Sequence, residues 1–256
     1  MNNIEQEIRN NLYEFYDQFS QFKGILSERQ DHWSVIKNIP GAWPRIIYRI
    51  APEIIKSRST IIFSEKINSS TYPEIAIASE DNIQQVDPFL RSKGLYPFSA
   101  WKGMAISNGT AITSPDLPKN IEVVNPESAT DIEQWIKIVT SQLISPARLD
   151  KTLLENLITK PGIEIFLLKH NGVGVSTILV FTSENSTGFY LIATERSAQR
   201  QGFASLLVQR ILFLETRKSI NPIILHANQK GKALYSKLGF VPYNQFFLYR
   251  FLNTPL

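Results

Sequence analysis

Apolar residues recur near the start of the chain at Ile4, Ile8, Leu12, Phe15, Phe19 and Phe22, stepping by four and three. Such steps line one face of a helix, so the pattern predicts an amphipathic helix over residues 4–22. Strand-like apolar runs follow at 60–63, 74–78 and 101–106, with a helix near 81–92 interrupted or restarted at Pro88. Residues 107–120 carry Gly109, Pro115 and Pro118 among small polar residues and form the best boundary in the chain. Two units are expected, an N-terminal α/β domain over 1–110 and a second domain over 119–256.

The second half has firmer periodicities. It predicts a strand at 121–124, helices over 129–143 and 149–159, and strands at 163–169 and 173–182. The last two meet at His170-Asn171-Gly172, where Asn-Gly is a strong hairpin signal. A short apolar run at 188–194 reads as a buried strand. The segment 205–217 has apolar residues at 206, 207, 208, 211, 212, 213 and 214, too many for one strand and too apolar for an exposed helix, which predicts a buried helix. A strand at 222–226 and closing strands at 240–243 and 246–251 complete a mixed α/β sheet flanked by helices.

Between the strand at 188–194 and the helix after it lies Gln199-Arg200-Gln201-Gly202-Phe203-Ala204. A strand-to-helix turn of this kind offers a glycine that admits close approach, unpaired N–H groups and the positive end of a helix dipole, which together suit a phosphate or pyrophosphate. Arg196 and Arg200 add charge. Glycine at such a junction more often serves only to permit the turn; a second block, Asn228-Gln229-Lys230-Gly231-Lys232-Ala233-Leu234-Tyr235-Ser236-Lys237-Leu238-Gly239-Phe240, shifts the balance. The order of strand, Gln-x-x-Gly-x-Ala turn, helix, strand and Asn-x-x-Gly-x-x-Leu-Tyr-x-x-Leu-Gly-Phe resembles the C-terminal half of the GNAT superfamily of acyl-CoA-dependent N-acetyltransferases. The resemblance spans residues 119–252 and is strongest over 188–243.

The resemblance implies acetyl-CoA as donor and a primary amine as acceptor, joined by direct attack. It assigns the coenzyme A pyrophosphate to the backbone of Gln199, Arg200, Gln201, Gly202, Phe203 and Ala204, and the pantetheine arm to backbone groups near Ile192 and Thr194. It further implies that Asn228 contacts the cofactor, that Tyr235 lies near the thioester sulfur, and that a backbone N–H of the 188–194 strand holds the tetrahedral oxyanion. Departures from the family pattern are Gln199 in place of the commoner arginine, Gly231 in place of alanine, and Thr194 and Arg196 where an aliphatic residue and proline are frequent. The order of elements in the first half fits a degenerate copy of the second, as in tandem members of the family, although it has no Gln-x-x-Gly-x-Ala turn.

Tyr235 shares a helical face with Gly231, Leu234 and Leu238, so a core tyrosine explains the position as well as a general acid that protonates the departing thiolate. An alkyl ammonium of pKa near 10.4 is about one part in a few thousand neutral at pH 7, so a proton must be removed before attack. Glu195 and His226 are candidate bases. A solvated loop charge at Glu195, a packing role at His226 and a water chain to solvent are the competing readings.

Composition narrows the alternatives. The 256 residues, 43% of them hydrophobic, suffice for two modest domains or one large one. There is no cysteine, which excludes disulfides, thiolate metal sites and a cysteine nucleophile, and the three histidines lack metal-ligand spacing, so no metal is expected. A net charge of +4 is dispersed among acids with no basic run interleaved with aromatics, so no nucleic acid is expected. The N-terminus has no basic start and apolar core, and no stretch approaches eighteen apolar residues, so a cytoplasmic protein without membrane association is expected. No motif specifies the acceptor or an oligomeric state. Beside the acetyltransferase stand two other readings, a non-catalytic acyl-CoA-binding or partner-binding module of the same fold, and a transferase with an aminoacyl-tRNA donor. The intact pyrophosphate turn argues against the last.

Overall fold

The computed structural model describes residues 3–56, 58–106, 110 and 112–252. In the first half, α1 (Ile4–Asp17) precedes four short strands, β1 (Leu26–Arg29), β2 (Ser34–Lys37), β3 (Ala42–Trp43) and β4 (Arg45–Tyr48), and these are followed by α2 (Ser59–Asn68), β5 (Ile75–Ser79), α3 (Ile83–Ser92) and β6 (Leu95–Ile106). The second half runs β7 (Ile121–Val124), α4 (Ala129–Val139), β8 (Arg148–Leu149), α5 (Lys151–Leu157), β9 (Ile163–His170), β10 (Val173–Thr182), β11 (Thr187–Thr194), α6 (Phe203–Lys218), β12 (Ile223–Ala227), α7 (Lys232–Lys237) and β13 (Val241–Phe251).

Eleven strands form one sheet in the order β1-β2-β4-β5-β13-β6-β12-β11-β10-β9-β7. The two halves repeat one pattern. Antiparallel β2 and β4 lead through α2 to β5, parallel to β4, as antiparallel β10 and β11 lead through α6 to β12, parallel to β11. In each half a further helix, α3 or α7, then leads to a long final strand. The final strands are exchanged: β6 of the first half pairs with β12, and β13 of the second pairs with β5, while β6 and β13 pair with each other at the centre. The repeat that the element order hinted at is thus present in the strand pairing. The minor two-stranded ladder of β3 with β8 ties the halves together a second time.

One face of the sheet carries α1, α4 and α5 over a core that includes Ile8, Leu12, Phe15, Phe19, Trp135, Leu154, Ile77 and Phe246. The other face carries two cores. Leu207, Val208, Ile211 and Leu212 of α6 pack on one, and Phe63 and Ile67 of α2 with Val86 and Leu90 of α3 pack on the other. Burying each such side chain contributes about 1.5–3 kcal/mol.

Helix α1 belongs to the first half yet lies on the second. Its Phe15 stacks on Tyr190 with ring centroids 4.2 Å apart. Asn11 is fully buried and satisfied: Nδ2 donates to Ser183 Oγ (3.1 Å), Ser186 Oγ (3.1 Å) and Ser186 O (3.2 Å), and Oδ1 accepts the Tyr190 hydroxyl at 2.6 Å. The space for this network exists because residue 188 is glycine; a Cβ there would overlap Asn11 Oδ1 and Tyr190 Cε2.

Three expectations need correction. Residues 60–63 are not a strand but lie within α2, where Phe63 and Ile67 face the core at i, i+4 and Ile61 is 60% exposed. A four-residue window cannot separate the two periods, and the stripe is completed only at Ile67. The first helix ends at Asp17 and tightens into a 3-10 turn over Gln18–Gln21. The two closing strands are one, β13, whose register against β6 shifts between Pro242 and Gln245. Between 22 and 59, where the pattern marks no element, four strands of two to four residues form. Of the boundary segment, residues 107–109 and 111 lie outside the described residues, and 112–118 have no regular structure.

Gly188→Ala is expected to lower unfolding free energy by about 1–3 kcal/mol through overpacking. Removing the obstructing amide in the Gly188→Ala, Asn11→Ala double variant should cost less than the sum of the single changes, as read by urea unfolding. Additive costs would show that Gly188 serves no role in seating Asn11.

Candidate active site

Strand β11 pairs with β12 only at Thr187↔Ile223, Gly188↔Ile224 and Phe189↔Leu225. Beyond Phe189 the two strands part, although β12 continues against β6 to Ala227↔Lys102. A bulge accompanies the parting: the register of β10 with β11 shifts between Thr177 and Leu179, and Leu191 takes φ 47°. Side-chain hydroxyls serve the distorted stretch, Thr177 Oγ1 donating to Leu191 O (3.0 Å) and Ser176 Oγ to Ala193 O (2.9 Å). From Tyr190 onward the opposite edge of β11 faces no strand among the described residues, which leaves a gap in the middle of the sheet.

At the end of β11 a 3-10 turn over Arg196–Ala198 leads to the hexapeptide. Arg200 (φ 62°) and Gly202 (φ 85°) both adopt the left-handed conformation, which glycine takes without strain. Helix α6 then starts with no side-chain cap, its first backbone bond running from Leu206 N–H to Gly202 O. The amides of Phe203, Ala204 and Ser205 therefore have no intrahelical acceptor. The Phe203 side chain is buried against His170, with ring centroids 5.1 Å apart, so only its backbone faces the turn. Gln199 Nε2 donates to Thr194 O and Gln142 Oε1, each at 3.1 Å, and Gln201 Nε2 to Ser197 O at 3.0 Å. Arg196 and Arg200 are exposed and without an ion pair among the described residues. Glu195 caps the 3-10 turn, accepting from the Arg196 N–H at 3.0 Å, and does not line the cavity described next.

A cavity of about 790 Å³ opens from the gap across the α1 face of the sheet. Ile192, His226, Asn228 and Tyr235 all line it, so four of the residues singled out from the sequence converge there. Asn228 Oδ1 accepts the Gly231 N–H at 2.9 Å, which closes the turn leading into α7 and leaves the amide nitrogen without a hydrogen bond among the described residues. Gly231 is the close neighbour of Tyr235: a Cβ there would stand 2.8 Å from Tyr235 Cε2. The glycine that departs from the family pattern makes room for the tyrosine ring. Burial pushes the Tyr235 hydroxyl well above the usual phenol range, so it holds its proton throughout the physiological range. Among the described residues that hydroxyl makes no hydrogen bond to the protein. His226 is enclosed by Phe246 (4.9 Å), Tyr190 (6.0 Å) and Trp101 (6.4 Å), centroid to centroid, and among the described residues neither ring nitrogen has a hydrogen-bond partner of normal geometry, the Ile8 backbone being only a weak neighbour. Burial pushes its pKa down to about 3, the Ile8 backbone acting weakly the other way, so the ring is neutral at pH 7 and a feeble proton acceptor.

The remaining walls escape a motif-based reading. Phe15 and Tyr16 of α1 cover the cavity, Trp43 and Trp101 flank it, and Arg45, Glu74 and Arg250 stand at its far end. Trp33, by contrast, is core, its Nε1–H donating to the Tyr72 hydroxyl at 3.0 Å. For Trp33, Trp43 and Trp101 of the first half the sequence favours the core and leaves a groove as the alternative; only strand register says which of them reach the cavity. Among the described residues, no three His, Cys, Asp or Glu side chains are grouped to hold a metal ion, and no helix is long and apolar enough to cross a membrane.

Residues 161–242 match the family model of the acetyltransferase (GNAT) domain. No curated protein matches the sequence. Among solved structures, a GCN5-related N-acetyltransferase from Kribbella flavida superposes with TM-score 0.71 at 15% identity, over 99% of this chain and 98% of that one. Another, from Sphaerobacter thermophilus, gives 0.65 at 14% identity over 87% and 81%. A tandem GNAT protein from the clavulanic acid biosynthesis pathway gives 0.57 at 10% identity over 95% and 94%. At these identities the likeness is one of fold, and it extends over both halves of the chain.

The histidine environment sets a pH dependence. The folded pKa of His226, about 3, lies below the unfolded value near 6.5, so the folded state binds fewer protons between those values. Its contribution to stability is fully present above pH 6.5 and is lost as pH falls towards 3. Urea unfolding at pH 7 and pH 4.5 should show a larger loss in the parent protein than in His226→Phe; equal losses would place the ring in a polar environment instead.

Proposed function

We propose that this chain, whose residues 161–242 match the acetyltransferase (GNAT) domain model, transfers an acetyl group from acetyl-CoA to a primary amine. The observation that carries the reading is the gap between β11 and β12, which ends at the uncapped start of α6 and has Asn228 and Tyr235 on its walls. Each part suits one part of the donor. The free amides of the α6 start and the dipole of a sixteen-residue helix suit the pyrophosphate, with Arg200 and Arg196 beside them. The strandless edge of β11 from Tyr190 to Thr194 suits the amides of the pantetheine arm, which would add to the sheet as a strand does. The Asn228 amide nitrogen is available to the same arm.

In this reading a neutral amine attacks the thioester carbonyl, a C–N bond forms, the C–S bond breaks, and one proton passes from nitrogen to sulfur. A backbone N–H of β11 stabilises the oxyanion. Tyr235 donates a hydrogen bond to the departing sulfur; its raised pKa makes it a donor that keeps its own proton unless it is replaced from the amine in the same event. His226 is too weak a base to deprotonate an alkyl ammonium, and Glu195 is committed to its turn, so the amine loses its proton to solvent at the open end of the cavity. Residues 119–256 act as the donor-binding domain, and 1–110 shape the acceptor side.

Two measurements test this. Gly202→Asn and Gly202→Asp place nearly identical side chains at a left-handed position that asparagine tolerates, and a Cβ there meets no atom within 4 Å. Calorimetric titration should show micromolar acetyl-CoA binding, weakened in the aspartate variant at least tenfold more than in the asparagine variant; equal effects would remove the anion from this turn. Tyr235→Phe should lower kcat by roughly 100-fold, the low end of the range for a positioned proton donor, with little change in donor affinity. Unchanged turnover would return the tyrosine to the core, and donor binding without transfer to any amine would favour a non-catalytic module.

A further inference from the structure

The far end of the cavity holds an arginine with no carboxylate. Arg250, on β13, has its guanidinium carbon 4.8 Å from the centre of the Phe98 ring and forms no ion pair or hydrogen bond among the described residues. Both residues line the cavity. Its charged neighbours there are Arg45 and Glu74, and these are paired with each other. The lining therefore carries two cations against one anion that is already engaged, and His226 is neutral at pH 7.

Strand register measures how far this arginine lies from the gap. Lys102 of β6 is opposite Ala227, so Asn228 falls level with Trp101, and Trp101 is opposite Phe246 of β13. Arg250 is four residues further on, opposite Tyr96, which is about 13 Å along the strand. The gap beside β11 is also three strands away from β13, at about 4.8 Å per strand. Allowing for the reach of the arginine side chain, a reacting amine and an anion on Arg250 stand roughly 10–15 Å apart. The surface between them is apolar, formed by Trp101, Leu248 and Ile75 below and Tyr16 and Trp43 above.

Resting on the acetyltransferase reading of this site, we infer that the acceptor is an elongated primary amine with an apolar body and a carboxylate at its far end, which Arg250 binds. Polyamines and aminoglycosides do not fit, because their distal ammonium groups would meet Arg45 and Arg250. An extended short peptide with a free N-terminus and a long-chain ω-amino acid share the required chemistry.

The experiment measures kcat/KM on the full chain, with acetyl-CoA binding followed by calorimetry in parallel. One arm compares ω-amino acids of four to twelve carbons with the alkylamines of equal length. A second compares the tripeptide Ala-Phe-Phe as free acid and as C-terminal amide, and spermidine completes the panel. The inference expects a preference for the carboxylate of at least tenfold in one arm, which in the ω-amino acid arm appears only at the longer lengths. The arm that shows it identifies the source. In Arg250→Met the ratio of acid to uncharged analogue should fall to near one, while Arg250→Lys should keep part of it. Turnover of amines with no carboxylate preference, a preference for spermidine, or a ratio that survives Arg250→Met would overturn the inference and leave the acetyltransferase reading standing. Acetyl-CoA binding with no transfer to any amine would overturn both.

Discussion

The structure turns on a pairing that stops early. Parallel β11 and β12 keep three residue pairs and then part, with Leu191 held at positive φ and hydroxyls of Ser176 and Thr177 supporting the bent stretch. Opening a sheet at its centre leaves backbone groups that must find a partner in water or in a ligand. The surrounding fold stabilises this opening from both sides. Helix α1 presses on Tyr190 through Phe15 and Asn11, and α6 anchors the other face through Phe203 and Leu207. Together they hold one strand edge bare and place an uncapped helix start at its end.

The exchange of final strands explains why the site has two ends of different character. Because β6 crosses to β12 and β13 crosses to β5, the cavity floor is continuous from the gap in one half to β5 of the other. The second half retains the turn with left-handed Gly202. The first half, though it repeats the pairing pattern, contributes walls instead: Trp43, Arg45, Glu74, Ile75 and Trp101. On the proposed reading, a half without the turn is free to vary at the acceptor end.

The second half was legible because its elements are long and its punctuation is specific. Asn171 and Gly172 both take positive φ in the hairpin between β9 and β10, as Asn-Gly requires, and Gly202 sits where the turn needs it. The first half was obscure for the opposite reason. Its strands are two to five residues long before β6, too short for a period to emerge, and the apolar run at 60–63 belongs to a helix whose stripe closes only at Ile67. Of the candidate site, the turn, Asn228 and Tyr235 belong to contiguous motifs and so stand out in the sequence. The bulge at Leu191 does not, since a leucine at positive φ has no propensity signature. Arg45, Glu74, Trp101 and Arg250 come from strands far apart in sequence and meet only through the exchange. The sequence pattern likewise could not separate Trp43 and Trp101, at the cavity, from Trp33, whose indole is hydrogen-bonded within the core.

The central claim is that the bare edge of β11 and the uncapped start of α6 together bind one donor molecule. Amide hydrogen exchange with and without acetyl-CoA tests it residue by residue. The account predicts slowed exchange concentrated at residues 190–194 and 203–205, with β1, β2 and β4 unaffected. Binding that leaves both stretches unprotected would contradict it.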